Sequence, residues 1–147
     1  MTSIVRSALV AYSAEEMYAL VEDIEAYPKF LPWCRATEVI ERQAGTTKAR
    51  LSVGLKGINQ SFTTENLNRP GRSIEMKLVE GPFETFRAVW KFEALGEHAA
   101  RIEYSMTYEL SGGLMAKVLR PLFDQIANTM VDAFHRRAQS LYGTPES

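Results

Sequence analysis

The sequence has few of the residues that most often carry catalysis or hold metal ions. It contains one cysteine, Cys34, and two histidines, His98 and His135, among 147 residues. It has no HExxH or CxxC motif and no glycine-rich phosphate-binding loop after a strand-like segment. These patterns predict no metal site and no catalytic residue. Since a lone cysteine cannot form an internal disulfide bond, a reducing compartment and a cytoplasmic protein are expected.

Long hydrophobic runs and an excess of one charge are also missing. No stretch approaches the roughly 20 apolar residues of a membrane-spanning helix, and the first residues lack the basic start of a signal peptide. With 17 basic and 18 acidic side chains the net charge is -1, which does not indicate DNA binding. The length favours one soluble domain over residues 1–147, with 143–147 as a frayed tail.

Hydrophobic periodicity divides the chain into three parts. A strand is predicted over 4–11, followed by a short helix whose start is marked by the capping pair Ser13 and Glu16. From 35 to 110 apolar residues alternate with polar ones, and glycine-containing turns recur, which predicts six strands in an antiparallel meander. After Gly112-Gly113, apolar residues at three- and four-residue steps predict a long amphipathic helix, which Pro121 should kink or restart.

The most distinctive segment is Tyr27-Pro28-Lys29-Phe30-Leu31-Pro32-Trp33-Cys34. Its two prolines exclude a long helix or a central strand, so it is predicted to be a stiff, apolar connection. Such a segment either packs on the domain as a plug or covers an apolar cavity as a lid. We interpret it as the rim or lid of a hydrophobic cavity.

The alternation places charged residues on the outer face of the sheet and leaves an apolar interior with two tyrosine hydroxyls. An apolar sheet face, an apolar helix and an aromatic lid favour a nonpolar ligand. The residues predicted to line the cavity and its lid are Tyr27, Phe30, Leu31, Trp33, Phe86, Trp90, Tyr104, Met106, Tyr108, Met115, Leu119, Leu122, Ile126 and Met130.

The chain resembles the START-like, helix-grip (SRPBCC) superfamily. The features that carry the resemblance are the first strand, the capped helix, the Tyr27–Cys34 segment, the Gly81-Pro82-Phe83 turn, Trp90-Lys91-Phe92 and the long last helix. Within it, the chain resembles the branch of coenzyme Q-binding proteins and ribosome association toxins (RatA). The resemblance implies an α+β fold in which a seven-stranded antiparallel sheet curls around the C-terminal helix, with two short helices after the first strand. It also implies no required cofactor.

The resemblance leaves two main functions open. In the first, the protein is a non-enzymatic carrier of ubiquinone or a related isoprenoid quinone or lipid that supports respiration, in transient contact with the surface of the inner membrane. A pocket of roughly 300 to 1,000 Å³ would hold the quinone ring and part of the tail, and the rest would leave past Phe30, Leu31 and Trp33.

In the second, a ribosome association toxin binds the large ribosomal subunit and blocks subunit joining. An exposed basic surface is then required, for which the candidates are Lys117, Arg120, Arg136 and Arg137. A polyketide cyclase or dehydratase is a third reading, which the apolar interior disfavours. Because the distinctive residues are apolar rather than basic, the sequence favours the quinone hypothesis.

Overall fold

The structure, a computed structural model, describes residues 2–143. It contains seven strands, two α-helices and one 3-10 helix. In chain order these are β1 (Thr2–Val10), α1 (Ala14–Glu22), the 3-10 helix (Ile24–Lys29), β2 (Cys34–Gln43), β3 (Thr46–Leu55), β4 (Ile58–Arg69), β5 (Ser73–Glu80), β6 (Phe83–Gly96), β7 (Ala99–Leu110) and α2 (Leu114–Tyr142).

All seven strands form one antiparallel sheet in the order β1-β7-β6-β5-β4-β3-β2. Strands β2 to β7 are each next to their neighbour in sequence, as a meander requires. The exception is β1, which pairs with β7 from Thr2 opposite Tyr108 to Val10 opposite Ala100. The predicted α+β class, the helix-grip arrangement and the two short helices after β1 are therefore confirmed.

The turn into α1 is specified by side chains, as predicted. The Glu16 backbone N–H donates to Ser13 Oγ at 3.0 Å, and the Ser13 backbone N–H donates to Glu16 Oε1 at 2.9 Å. This reciprocal capping box satisfies two donors that the start of a helix would otherwise leave unpaired. It fixes where α1 begins, immediately after β1.

One face of the sheet is dry, and α2 packs against it. In β7 every even-numbered side chain from Ala100 to Leu110 is buried, whereas the intervening ones are partly or fully exposed. On α2 the buried stripe consists of Leu119, Leu122, Phe123, Ile126, Ala127, Met130, Val131, Phe134 and Ala138. The hydrophobic core lies between these two surfaces.

The structure bears on two predictions for α2. Of the two alternatives at Pro121, a restart is excluded, because the helix runs unbroken from Leu114 to Tyr142. Met115, predicted to face the interior, is 58% exposed. In the first turn of α2 only Ala116 is partly buried, and full burial begins at Leu119.

At its other end α2 stops at Gly143, whose positive φ of 81° suits glycine and whose N–H donates to Gln139 O at 3.0 Å. Residues 144–147 of the predicted tail lie outside the described residues. No helix within 2–143 is both long enough and apolar enough to cross a bilayer.

Candidate functional site

Between the sheet and α2 lies an internal cavity of about 30 Å³. This volume suits a water molecule or two, whereas drug-sized ligands occupy pockets of roughly 300 to 1,000 Å³. Aromatic rings fill the remaining space: Phe83 lies 4.8 Å from Phe123, Trp90 lies 5.2 Å from Phe134 and Trp90 lies 5.0 Å from Tyr104, measured between ring centroids. Within residues 2–143, this interior does not have the predicted ligand-sized room.

The structure does bring most of the predicted cavity residues together. Of those, the ones that line the small cavity are Tyr27, Trp33, Phe86, Trp90, Tyr104, Met106, Ile126 and Met130. Leu31, Tyr108, Leu119 and Leu122 are buried but do not line it. Phe30 is half-buried and lines an outer groove instead, and Met115 is at the surface.

Two polar lining residues were missed. Thr64 and Asn66 on β4 are both buried, and Thr64 Oγ1 donates to Asn66 Oδ1 at 2.8 Å. The signal was present, because Phe62, Thr64 and Asn66 share the period-two face of one strand. The interior therefore holds a hydroxyl–amide pair as well as hydrocarbon and tyrosines.

The two predicted tyrosine hydroxyls are satisfied inside the protein. Tyr104 donates to Met106 Sδ at 3.4 Å, and Tyr108 donates to Asp124 Oδ1 at 2.5 Å. Burial raises the pKa of both phenols, and the Asp124 carboxylate adds to the rise at Tyr108. Neither phenol is suited to act as a base near neutral pH.

The Tyr27–Cys34 segment packs down as a plug. Its backbone is held by hydrogen bonds from Leu31 N to Tyr27 O at 2.9 Å and from Gly54 N to Trp33 O at 2.8 Å. The Tyr27 hydroxyl donates to the carbonyl of Val21. Leu31 and Trp33 are almost completely buried, at 1% and 3% exposed. The segment thus closes one end of the core instead of standing over an open cavity.

The buried side chain of Trp33 also contains a polar group. Its indole Nε1–H is buried and has no hydrogen-bond partner among the described residues.

The neighbouring Cys34 is also buried, and burial raises the pKa of its thiol to about 11. Such a thiol is neutral at pH 7, which is the opposite of what a cysteine nucleophile needs.

A much larger concave feature lies outside the core. It is a groove of about 570 Å³ between the Tyr27–Cys34 segment, the end of β3 and the C-terminal half of α2, which we call the basic groove. Its lining comprises Lys29, Phe30, Pro32, Trp33, Arg35, Gly54, Leu55, Gln125, Thr129, Asp132, Ala133, Arg136, Arg137 and Ser140. Trp33 contributes to the walls of both the basic groove and the internal cavity.

The predicted basic surface is split by the structure. Arg136 and Arg137 line the basic groove, where they are joined by Lys29 and Arg35, which the sequence analysis did not select. Lys117 lies 19 positions before Arg136 on α2, or about 28 Å along the helix axis. Arg120, near Lys117, donates to Thr2 Oγ1 at 3.0 Å on β1. The four predicted cations therefore do not form one surface.

Among residues 2–143, no three His, Cys, Asp or Glu side chains come together in a way that could hold a metal ion. The ion pair between Arg87 and Glu75, at 2.6 Å, lies on the outer face of the sheet and lowers the pKa of the Glu75 carboxyl.

Comparison with protein-family models matches residues 10–135 to the family described as polyketide cyclase / dehydrase and lipid transport. Among curated proteins, the chain is 49% identical to the ribosome association toxin RatA of Pseudomonas aeruginosa, over 97% of this chain and 99% of the relative. It is 41% identical to the RatA protein of Escherichia coli K12, over 97% and 90%.

More distant is the mitochondrial coenzyme Q-binding protein COQ10 homolog B of Xenopus laevis, at 26% identity over 95% of this chain and 59% of that protein. Among solved structures, an 18 kDa protein from Caulobacter crescentus is 30% identical, with a TM-score of 0.76 over 98% of this chain and 100% of that one. A START superfamily protein from Mycobacterium smegmatis has a TM-score of 0.80 at 21% identity, over 95% and 98%, and supports the fold alone.

Proposed function

Since the chain belongs to the polyketide cyclase / dehydrase and lipid transport family, in the START-like group that contains the RatA proteins, we propose that it is a ribosome association protein of the RatA kind. In this proposal it acts in the cytoplasm, without catalysis, through its outer surface. It binds the large ribosomal subunit and hinders subunit joining.

The observation that carries this proposal is the contrast between the inside and the outside of the molecule. The interior has about 30 Å³ of free space, whereas the basic groove outside has about 570 Å³. A carrier must enclose its ligand, but a protein that docks on another particle needs only a surface. The 49% identity to a RatA protein over nearly the whole chain supports the same proposal.

Co-sedimentation tests the proposal directly. Purified protein is mixed with large or small ribosomal subunits at about 50 and 200 mM salt, because phosphate contacts weaken steeply over this range. We expect it to pellet with large subunits, more strongly at the lower salt. Addition of the protein to a mixture of both subunits should lower the fraction of joined particles on a sucrose gradient. Absence of pelleting at both salt concentrations would contradict the proposal.

Binding of a quinone or another nonpolar ligand is the second candidate. The observation that favours it is the shared wall at Trp33, since movement of this one side chain would connect the groove to the aromatic-lined interior. Ubiquinone binding would then require the core to open, because the closed cavity cannot hold even one isoprene unit.

A further inference from the structure

We infer that the basic groove binds the phosphodiester backbone of RNA. The inference rests on the proposed association with the ribosome and specifies which surface makes the contact and what chemistry it meets. The sequence indicated two of its four cations, Arg136 and Arg137, whereas the other two come from the Tyr27–Cys34 connection and its border with β2.

The first argument is charge. Lys29, Arg35, Arg136 and Arg137 line the groove together with a single carboxylate, Asp132, although the whole chain has a net charge of -1. Asp132 Oδ2 lies 3.1 Å from Arg136 Nε. In the part of the chain that the structure describes, the other three cations have no carboxylate within 4.0 Å. The groove is therefore a local concentration of positive charge that an anion can neutralise.

The second argument is that aromatic and guanidinium groups lie together. Arg137 Cζ is 4.9 Å from the centroid of the Phe30 ring. Phe30 is itself supported by Phe134, edge to face at 5.0 Å. Because Phe30 is only partly buried, one part of its ring is open to the groove. Grooves that bind single-stranded RNA combine cations for the backbone with aromatic or guanidinium planes on which bases stack.

The third argument is the position of Arg35. Its Nε lies close to Gly54, since a Cβ built at that glycine would stand 3.1 Å from it. The absence of a side chain at Gly54 leaves room for the exposed Arg35 guanidinium at the groove wall. A guanidinium exposed in a groove can bind a phosphate with two parallel N–H donors.

An anionic lipid headgroup is disfavoured by what lies behind the groove. A lipid taken out of a membrane needs an apolar channel for its acyl chains, whereas the buried Trp33 ring separates the groove from an interior with about 30 Å³ of space. An RNA backbone, by contrast, lies along a surface and presents repeated phosphates to several cations at once. We therefore assign the groove to RNA.

The chain offers a well-matched pair of variants for the test. Lys29→Glu with Arg136→Glu reverses two exposed cations of the groove, and Lys91→Glu with Arg101→Glu reverses one exposed lysine and one exposed arginine on the outer face of the sheet. Both changes alter the net charge equally, and each arginine gives up one carboxylate partner. Thermal unfolding followed by circular dichroism checks that both variants fold. If the groove variant does not fold, the milder Lys29→Gln with Arg136→Gln takes its place.

The probes are a fluorescent uridine oligonucleotide of about 12 residues, a length within the span of single-strand sites, and intact large ribosomal subunits. The wild type should bind both. For the groove variant, affinity for the oligonucleotide should fall at least about tenfold at 50 mM salt. The slope of log K against log salt should become shallower by about 1.4, since two phosphate contacts are lost. The control variant should stay within about twofold of the wild type in both assays.

Each other outcome contradicts either the inference or the proposed function, and the two failures can be told apart. If both variants bind subunits with equal affinity, the groove is not part of the interface with the ribosome, although ribosome association itself stands. Groove-dependent binding of subunits without binding of the oligonucleotide would indicate an acidic protein as the occupant. Groove-dependent binding of vesicles of phosphatidylserine and phosphatidylcholine, but not of RNA, would indicate a lipid headgroup. If the wild type binds the oligonucleotide but no subunits, the proposed function fails and the RNA surface remains.

Discussion

At the scale of single residues, Trp33 lies between the basic groove and the internal cavity. Its ring is 3% exposed and is shared between the wall of the basic groove and the wall of the internal cavity. A large buried ring in this position can be either a fixed part of the core or the moving part of a lid. The energetic cost of removing it distinguishes these roles.

We predict that Trp33 is a fixed part of the core. Trp33→Ala should then lower the free energy of unfolding by about 3 to 5 kcal/mol, since it removes a large buried side chain and leaves a cavity. Trp33→Phe is the control and should cost much less, because it retains an aromatic ring and removes an N–H that has no partner within residues 2–143. Urea unfolding measures both. A loss below about 1 kcal/mol for the alanine variant would instead favour a mobile lid.

Residue-level predictions from the sequence succeeded where the strand pattern was regular. Trp90, Tyr104 and Met106 were placed in the interior by alternation and are buried there. The sequence pattern could not reveal that Met115 is exposed, because the helical spacing of apolar residues continues past the point where α2 leaves the sheet. Nor could it bring Lys29 and Arg35 next to Arg136, since that proximity depends on how the Tyr27–Cys34 segment packs across α2.

At the scale of elements, α2 contains a proline seven residues after its first residue, yet it is continuous. Pro121 is exposed, so it lies on the outer side of the helix, away from the sheet. It lacks the N–H that would donate to the carbonyl of Lys117, and its ring crowds that turn. The packed stripe from Leu119 onward holds the helix together across this weak point.

We predict that Pro121→Ala stabilises the protein. Proline in a helix interior costs about 3 kcal/mol relative to alanine, and part of that should be recovered as an increase of about 1 to 3 kcal/mol in the free energy of unfolding. The measurement is urea unfolding, with the exposed Gln125→Ala on the same helix as a control of small expected effect. A decrease in stability would show that packing on the sheet requires the geometry that the proline imposes.

The elements themselves could be predicted almost completely. The period-two pattern and the glycine-containing turns identified β2 to β7, and the Ser13–Glu16 pair identified the start of α1. What periodicity could not give is the free volume between two apolar surfaces. That volume depends on how rings such as Phe83, Phe123 and Phe134 interlock, and the same pattern is compatible with a hollow or a filled interior.

At the scale of the whole molecule, the filled interior predicts that the purified protein carries no stoichiometric nonpolar ligand. Organic extraction followed by mass spectrometry should yield quinone and lipid at well below one molecule per chain. Added ubiquinone should leave the melting temperature unchanged, because a ligand that does not bind the native state cannot stabilise it. One equivalent of extracted quinone would contradict this prediction and restore the carrier hypothesis, with an open conformation of the core.

The pairing of β1 with β7 also determines when the sheet can be completed during synthesis of the chain. Val10 lies opposite Ala100, and the covering helix α2 follows later still, so β1 has no partner until about 90 further residues exist. At about 5 to 20 residues per second, synthesis of that stretch takes roughly 5 to 20 s. Throughout this delay the newly made chain exposes its apolar sheet face, and the fold can close only after α2 has been made.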